Sequence, residues 1–172
     1  LEKGRPLIPI SVNQSRLHMK EPNYLERMRQ LAQTYALPKG AIELEITETA
    51  FADFDKPGQR DRALKIVQAL HEMGFAISMD DFGSGYSSVM LLNMLPMDVM
   101  KLDRSLLSAI NGSARMQQIL TSVIRLGKDL HMEIICEGIE DPEQEQLLLQ
   151  AGCYYGQGYL FSKPLPEEEF RI

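Results

Sequence analysis

The chain has no surplus of positive charge, little cysteine and no long apolar run. Its 18 Lys and Arg are outnumbered by 24 Asp and Glu, for a formal net charge of -6. An acidic chain lacks the basic face that non-specific duplex binding needs, so no duplex nucleic-acid partner is expected. An anionic small substrate stays compatible, provided metal ions bridge it to the protein. No stretch approaches the ~20 apolar residues of a membrane span, and no secretory leader is visible. The expected placement is cytoplasmic, free or as the cytoplasmic part of a larger membrane-anchored protein. The two cysteines, Cys136 and Cys153, form no C-x-x-C pair and sit beside apolar runs. They read as buried, reduced thiols. His18, His71 and His131 show neither H-E-x-x-H nor H-x-H spacing and are not read as metal ligands. Repeats, low-complexity tracts and interior linkers are also missing. A length of 172 residues suits one domain, or an incomplete piece of a larger one.

What is present is a regular alternation. Apolar residues make up 44% of the chain, enough for a real core. Strand-like runs occur at 7–13, 41–46, 75–80, 99–103, 132–137 and 154–159, with Pro9 breaking the first half of the first. Helical spacing falls at 24–35, 61–73, 87–95, 114–130 and 142–151. Gly74 and Gly152 act as stops, and Pro142 stands in a first turn. Strands that alternate with helices predict an α/β fold with a parallel sheet. The near-continuous apolar character of the strands suits burial on both faces.

The chemistry gathers at the strand ends. The central stretch, residues 76–88, runs from an apolar strand into Asp80-Asp81 and then into a glycine-rich turn. Neighbouring strand residues point to opposite faces. Two adjacent carboxylates can therefore share a site only where the backbone turns. The remaining runs end alike, on Asn13, Glu45, Lys101, Glu137 and Gln157. In a (β/α) barrel such ends converge on the active-site face. Asn, Glu and Asp oxygens suit hard cations. A strand-end Glu by itself is more often a cap or salt-bridge residue; the recurrence in six segments is what points to chemistry. Two reactions fit this pattern. One is metal-assisted phosphodiester hydrolysis. The other is enolase-type proton abstraction, and spacing does not separate them.

At these residues the chain resembles the EAL family of cyclic di-GMP phosphodiesterases. The motifs that carry the resemblance are Ser11-Val12-Asn13-Gln14-Ser15, Glu43-Leu44-Glu45-Ile46-Thr47-Glu48, residues 80–88 (DDFGSGYSS), Lys101-Leu102-Asp103-Arg104, Glu137-Gly138-Ile139-Glu140 and Gln157-Gly158-Tyr159-Leu160. The resemblance implies a TIM-like (β/α) barrel and hydrolysis of cyclic di-GMP to linear pGpG with two Mg²⁺ or Mn²⁺ ions. By matching position, Asn13, Glu45, Asp80 and Asp81 would bind metal. Lys101 would position or deprotonate the attacking water, and Glu137 would act as metal ligand or base. Gln157 and Asp103 would contact substrate. Glu48 would anchor the 80–88 loop, through which a homodimer is expected. Ser84 stands where many members have Thr and keeps the hydroxyl. The Glu-Ala-Leu motif that names the family is absent. The strand bearing Asn13 resembles the third of the family's barrel strands. The chain is therefore expected to be a partial EAL domain, about six of eight β/α units, lacking the first two. Alone it is expected to be inactive or very weak. An upstream sensory or GGDEF-type cyclase domain fits the resemblance. The competing reading is a non-catalytic module that binds cyclic di-GMP or another protein.

Overall fold

Pro9 has no N–H to give to a ladder, so the first strand starts after it. The computed structural model describes residues 7–47, 50, 59–84, 89–109, 113–166 and 168–169, without the side chains of 89 and 90. In it, β1 covers Ile10–Asn13. Ser15 then caps a short helix, α1 (Arg16–Lys20), accepting from the Leu17 N–H. Helix α2 follows at Tyr24–Thr34. The strand order is β1-β2-β3-β4-β5-β6, the order of the chain itself. The chain divides into two compact units, Leu1–Met100 and Lys101–Ile172.

In the first unit, β2 (Ile42–Thr47) pairs parallel with β1 and with β3 (Ala76–Phe82). Helix α3 (Gln59–Glu72) separates β2 from β3 in sequence. Its buried residues Ala63, Ile66, Val67 and Leu70 follow the three-four spacing of one helical face, and the helix packs on β3. Gly74 ends the turn after it with φ 95°, a value that glycine adopts without strain. The register pairs Leu44 with Ile77 and Ile46 with Met79. Paired residues of parallel strands share a face, so these four form an apolar layer. All four are buried. Burying such side chains contributes about 1.5–3 kcal/mol each. Helix α4 (Val89–Met94) precedes β4 (Val99–Leu102). The terminal strand β1 has all four residues exposed, Ile10 at 62%.

The second unit takes up the last half of β4. Helix α5 (Arg104–Ser108), invisible to periodicity because of its length, is capped by Asp103. Helix α6 (Ala114–Asp129) buries Leu120, Ile124 and Gly127 and packs on β5 (Glu133–Cys136). Helix α7 (Pro142–Ala151) is set by a reciprocal cap. Asp141 accepts from the Gln144 N–H at 2.9 Å, and the Gln144 side chain accepts from the Glu140 N–H at 2.8 Å. The sixth strand is far shorter than the run 154–159 suggests: β6 is Tyr155–Gly156, parallel to β5. Gly156 and Gly158 bring the following backbone against Ile139 instead of continuing a ladder.

Candidate active site

The reverse face of the first unit's sheet is polar. The register sets Asn13 beside Glu45 and Glu45 beside Ser78. Asp80, two residues beyond Ser78, therefore shares their face. Glu43 lies on it as well and accepts a hydrogen bond from the Ser11 hydroxyl at 3.1 Å. Glu43, Glu45 and Asp80 are buried, at 6%, 8% and 9% exposure. Taking a carboxylate out of water costs several kcal/mol before its partners repay it. Stability alone gives no reason to set three on one face. Asn13, Glu45 and Asp80 offer hard oxygen donors, a set that fits Mg²⁺ or Mn²⁺. Among the described residues, no group of three His, Cys, Asp or Glu side chains forms a ready metal cluster.

The strand carrying Asp80 runs on to Phe82, two residues past the expected end. The backbone nevertheless turns where the paired carboxylates require it. Asp81 has φ 58°, a left-handed value tolerated by Asp, and Gly83 follows with φ 94°. The strict alternation of side chains is broken there. Glu48, expected to anchor the loop, and residues 85–88 lie outside the described residues.

In the second unit three of the expected residues meet. The Lys101 ammonium lies 2.6 Å from Oε1 of Glu137. The Gln157 amide donates to the same oxygen at 2.8 Å. Lys101 is buried, with its side chain 6% exposed, and the Glu137 side chain is 20% exposed. The strands account for the meeting. Glu137 directly follows β5 and its N–H bonds the Leu102 carbonyl of β4, while the Gln157 N–H bonds the Cys136 carbonyl. Asp103 is already occupied as the cap of α5, accepting from the Ser105 N–H at 2.9 Å. Burial alone would raise its pKa. Hydrogen bonds from Ser105 and the nearby Arg104 outweigh that and hold it below the usual carboxylate value.

An open cleft of about 800 Å³ adjoins this cluster. Asp103, Glu137 and Gln157 line it together with Arg104, Tyr159 and Lys163. The last three escape a reading of strand ends, since they lie in the segments that follow β4 and β6. For Tyr159 and Lys163 the signal is their aromatic–cation spacing. The Lys163 ammonium sits 5.5 Å from the Tyr159 ring centre, and the ring is exposed.

Comparison with known proteins agrees with the motifs. The EAL domain family model matches residues 1–164. The chain belongs to the EAL domain family. It is 34% identical to the cyclic di-GMP phosphodiesterase NbdA of Pseudomonas aeruginosa over 163 residues, covering 95% of this chain and 20% of NbdA. Among solved structures, the EAL domain of Mycobacterium smegmatis DcpA superposes with a TM-score of 0.85 at 31% identity, covering 94% of this chain and 70% of that one. A cyclic di-GMP complex of the MucR phosphodiesterase gives a TM-score of 0.81 at 32% identity, covering 94% of this chain and 63% of that one. The chain thus spans about a fifth of the length of NbdA and most of the solved DcpA domain. The fold is the expected TIM-like (β/α) barrel type, incomplete in this chain, with six parallel strands that match the EAL structures.

Proposed function

We propose that this EAL chain is part of a metal-dependent phosphodiesterase that hydrolyses cyclic di-GMP to linear pGpG. The observation that carries the reading is the Lys101–Glu137–Gln157 cluster, with Lys101 buried and Glu137 and Gln157 facing an open cleft. A carboxylate held by an ammonium and an amide has a fixed orientation, which a general base needs. The naming of relatives such as NbdA as cyclic di-GMP phosphodiesterases favours this reaction over enolase-type proton abstraction.

The roles follow the family motifs. Asn13, Glu45, Asp80 and Asp81 hold divalent ions, and Glu137 serves as ligand or base. Lys101 orients the attacking water and offsets charge on the phosphate. Gln157 fixes Glu137, and Asp103 with Arg104 borders the substrate. Bound Mg²⁺ or Mn²⁺, two ions in all, supplies Lewis-acid activation of water and of the phosphate ester. The chain is a partial EAL domain lacking the first two β/α units, within a cytoplasmic protein or the cytoplasmic part of an anchored one. A homodimer and an upstream sensory or GGDEF-type domain belong to the same proposal. No described helix is long and apolar enough to cross a membrane.

The test uses the full-length protein with cyclic di-GMP and either Mg²⁺ or Mn²⁺, with nucleotides resolved by chromatography. pGpG is expected with either ion and absent with EDTA. Binding of cyclic di-GMP without any pGpG would refute hydrolysis and leave the non-catalytic module.

A further inference from the structure

We infer that Gly138 and Gly158 are positioning residues that lock the Glu137 carboxylate onto Lys101 and Gln157. The inference deepens the proposed function, but its geometric half stands without it. Glu137 begins a short loop after β5, and a loop by itself would leave its carboxylate free to wander. Two close approaches prevent that. On one side, Gly138 has φ 70°, and a Cβ there would lie 2.4 Å from Cβ of Arg104. On the other side, a Cβ on Gly158 would lie 2.1 Å from the Ile139 oxygen, 2.3 Å from its nitrogen and 2.7 Å from its carbonyl carbon. Those are backbone atoms and cannot swing aside. The approach is sealed by two hydrogen bonds. The Ile139 N–H donates to the Gln157 carbonyl at 3.1 Å, and the Leu160 N–H donates to the Ile139 carbonyl at 3.0 Å.

The backbone after Glu137 is thus bonded to the backbone that carries Gln157. The same contact sets the 2.8 Å side-chain bond between them. A methyl group at 158 must separate the two segments. Gly156 provides the contrast. A Cβ there meets the Ile139 Cδ1 methyl at 2.3 Å, the far end of a flexible side chain, and otherwise only an ordinary contact with the Cys136 oxygen at 3.5 Å.

The test compares Gly158→Ala, Gly138→Ala and Gly156→Ala in the full-length protein by amide hydrogen exchange and by cyclic di-GMP turnover. In the wild type, the Ile139 and Leu160 amides are expected among the slowly exchanging set. Fast exchange there would overturn the inference even if no variant folds. Gly158→Ala is expected to lose that protection and to lower kcat about 10- to 100-fold with KM nearly unchanged, the effect of misplacing a reacting group by about an ångström. Gly138→Ala should do the same, and Gly156→Ala should stay within about threefold of wild type. Retained protection and rate in Gly158→Ala, or an equal loss in Gly156→Ala, would overturn it. A wild type without turnover would remove the proposed function and leave the exchange data to decide the clamp.

Discussion

Asp98 ties the start of the carboxylate-bearing strand to the start of its neighbour. Its Oδ2 accepts the Ile77 backbone N–H at 2.7 Å, and its own N–H donates to the Ile77 carbonyl at 2.9 Å. The same oxygen lies 2.7 Å from Nε2 of His71 at the end of α3. Ile77 is fully buried. Asp98→Ala therefore strands a buried donor, which costs about 1–3 kcal/mol. The His71 contact is partly exposed and adds less than about 1 kcal/mol. The expected total is about 1–4 kcal/mol, and for a chain of this size about 2–4 °C in Tm per kcal/mol lost. Asp98→Asn keeps an acceptor and should cost about 1 kcal/mol; His71→Ala should cost no more than that. Urea unfolding of the three variants, with the m-value unchanged, measures this. Equal losses in Asp98→Ala and Asp98→Asn would refute the stranded donor. A His71→Ala loss as large as that of Asp98→Ala would move the stabilisation to the ion pair. The consequence for chemistry is direct, since Asp80 lies only three residues beyond Ile77.

Three further outcomes follow from the same geometry. Burial, helped by Cys153, Glu137 and Asp103, pushes the Cys136 thiol from its usual 9.0 up to about 12. The unfolded chain then releases a proton above about pH 9 that the folded chain keeps. Stability should fall between those values, on the order of 2 kcal/mol by pH 10.5. Cys136→Ala should flatten that slope in urea titrations, and an unchanged slope would reject the buried thiol as its source. Asp80→Ala should cut turnover of cyclic di-GMP about a thousandfold or more across a Mg²⁺ and Mn²⁺ titration; an unchanged rate would remove the metal role. Gln157→Ala should lower kcat about tenfold, having freed the amide bond that helps fix Glu137. Gln157→Glu should move the acidic limb of the pH–rate profile upward, because a second carboxylate makes the first harder to ionise. A limb that stays in place would place Gln157 away from the titrating group.

Several helix bounds were legible in the sequence because they are local. Ala114, Pro142 and Ala151 mark helix bounds that the structure reproduces, each fixed by a nearby cap or stop. The parity of β2 was legible too, with Glu43 and Glu45 on one face and Leu44 and Ile46 on the other. The errors share a physical origin. Helices α1 and α5 have five residues each, too few for a period, and only Ser15 and Asp103 announce them as caps. Asp103 adds a role that the motif alone does not announce: it holds the end of α5 as well as lining the cleft. The run 154–159 looks like a strand because three of its six residues are tyrosine, a residue enriched in strands. Its glycines instead serve a contact with Ile139, distant in sequence, which no local pattern encodes. The bond from Gln157 to Glu137 depends on that contact. The candidate residues could be named from the motif order, whereas the meeting of Glu137 and Gln157 depends on two segments 20 positions apart in the chain.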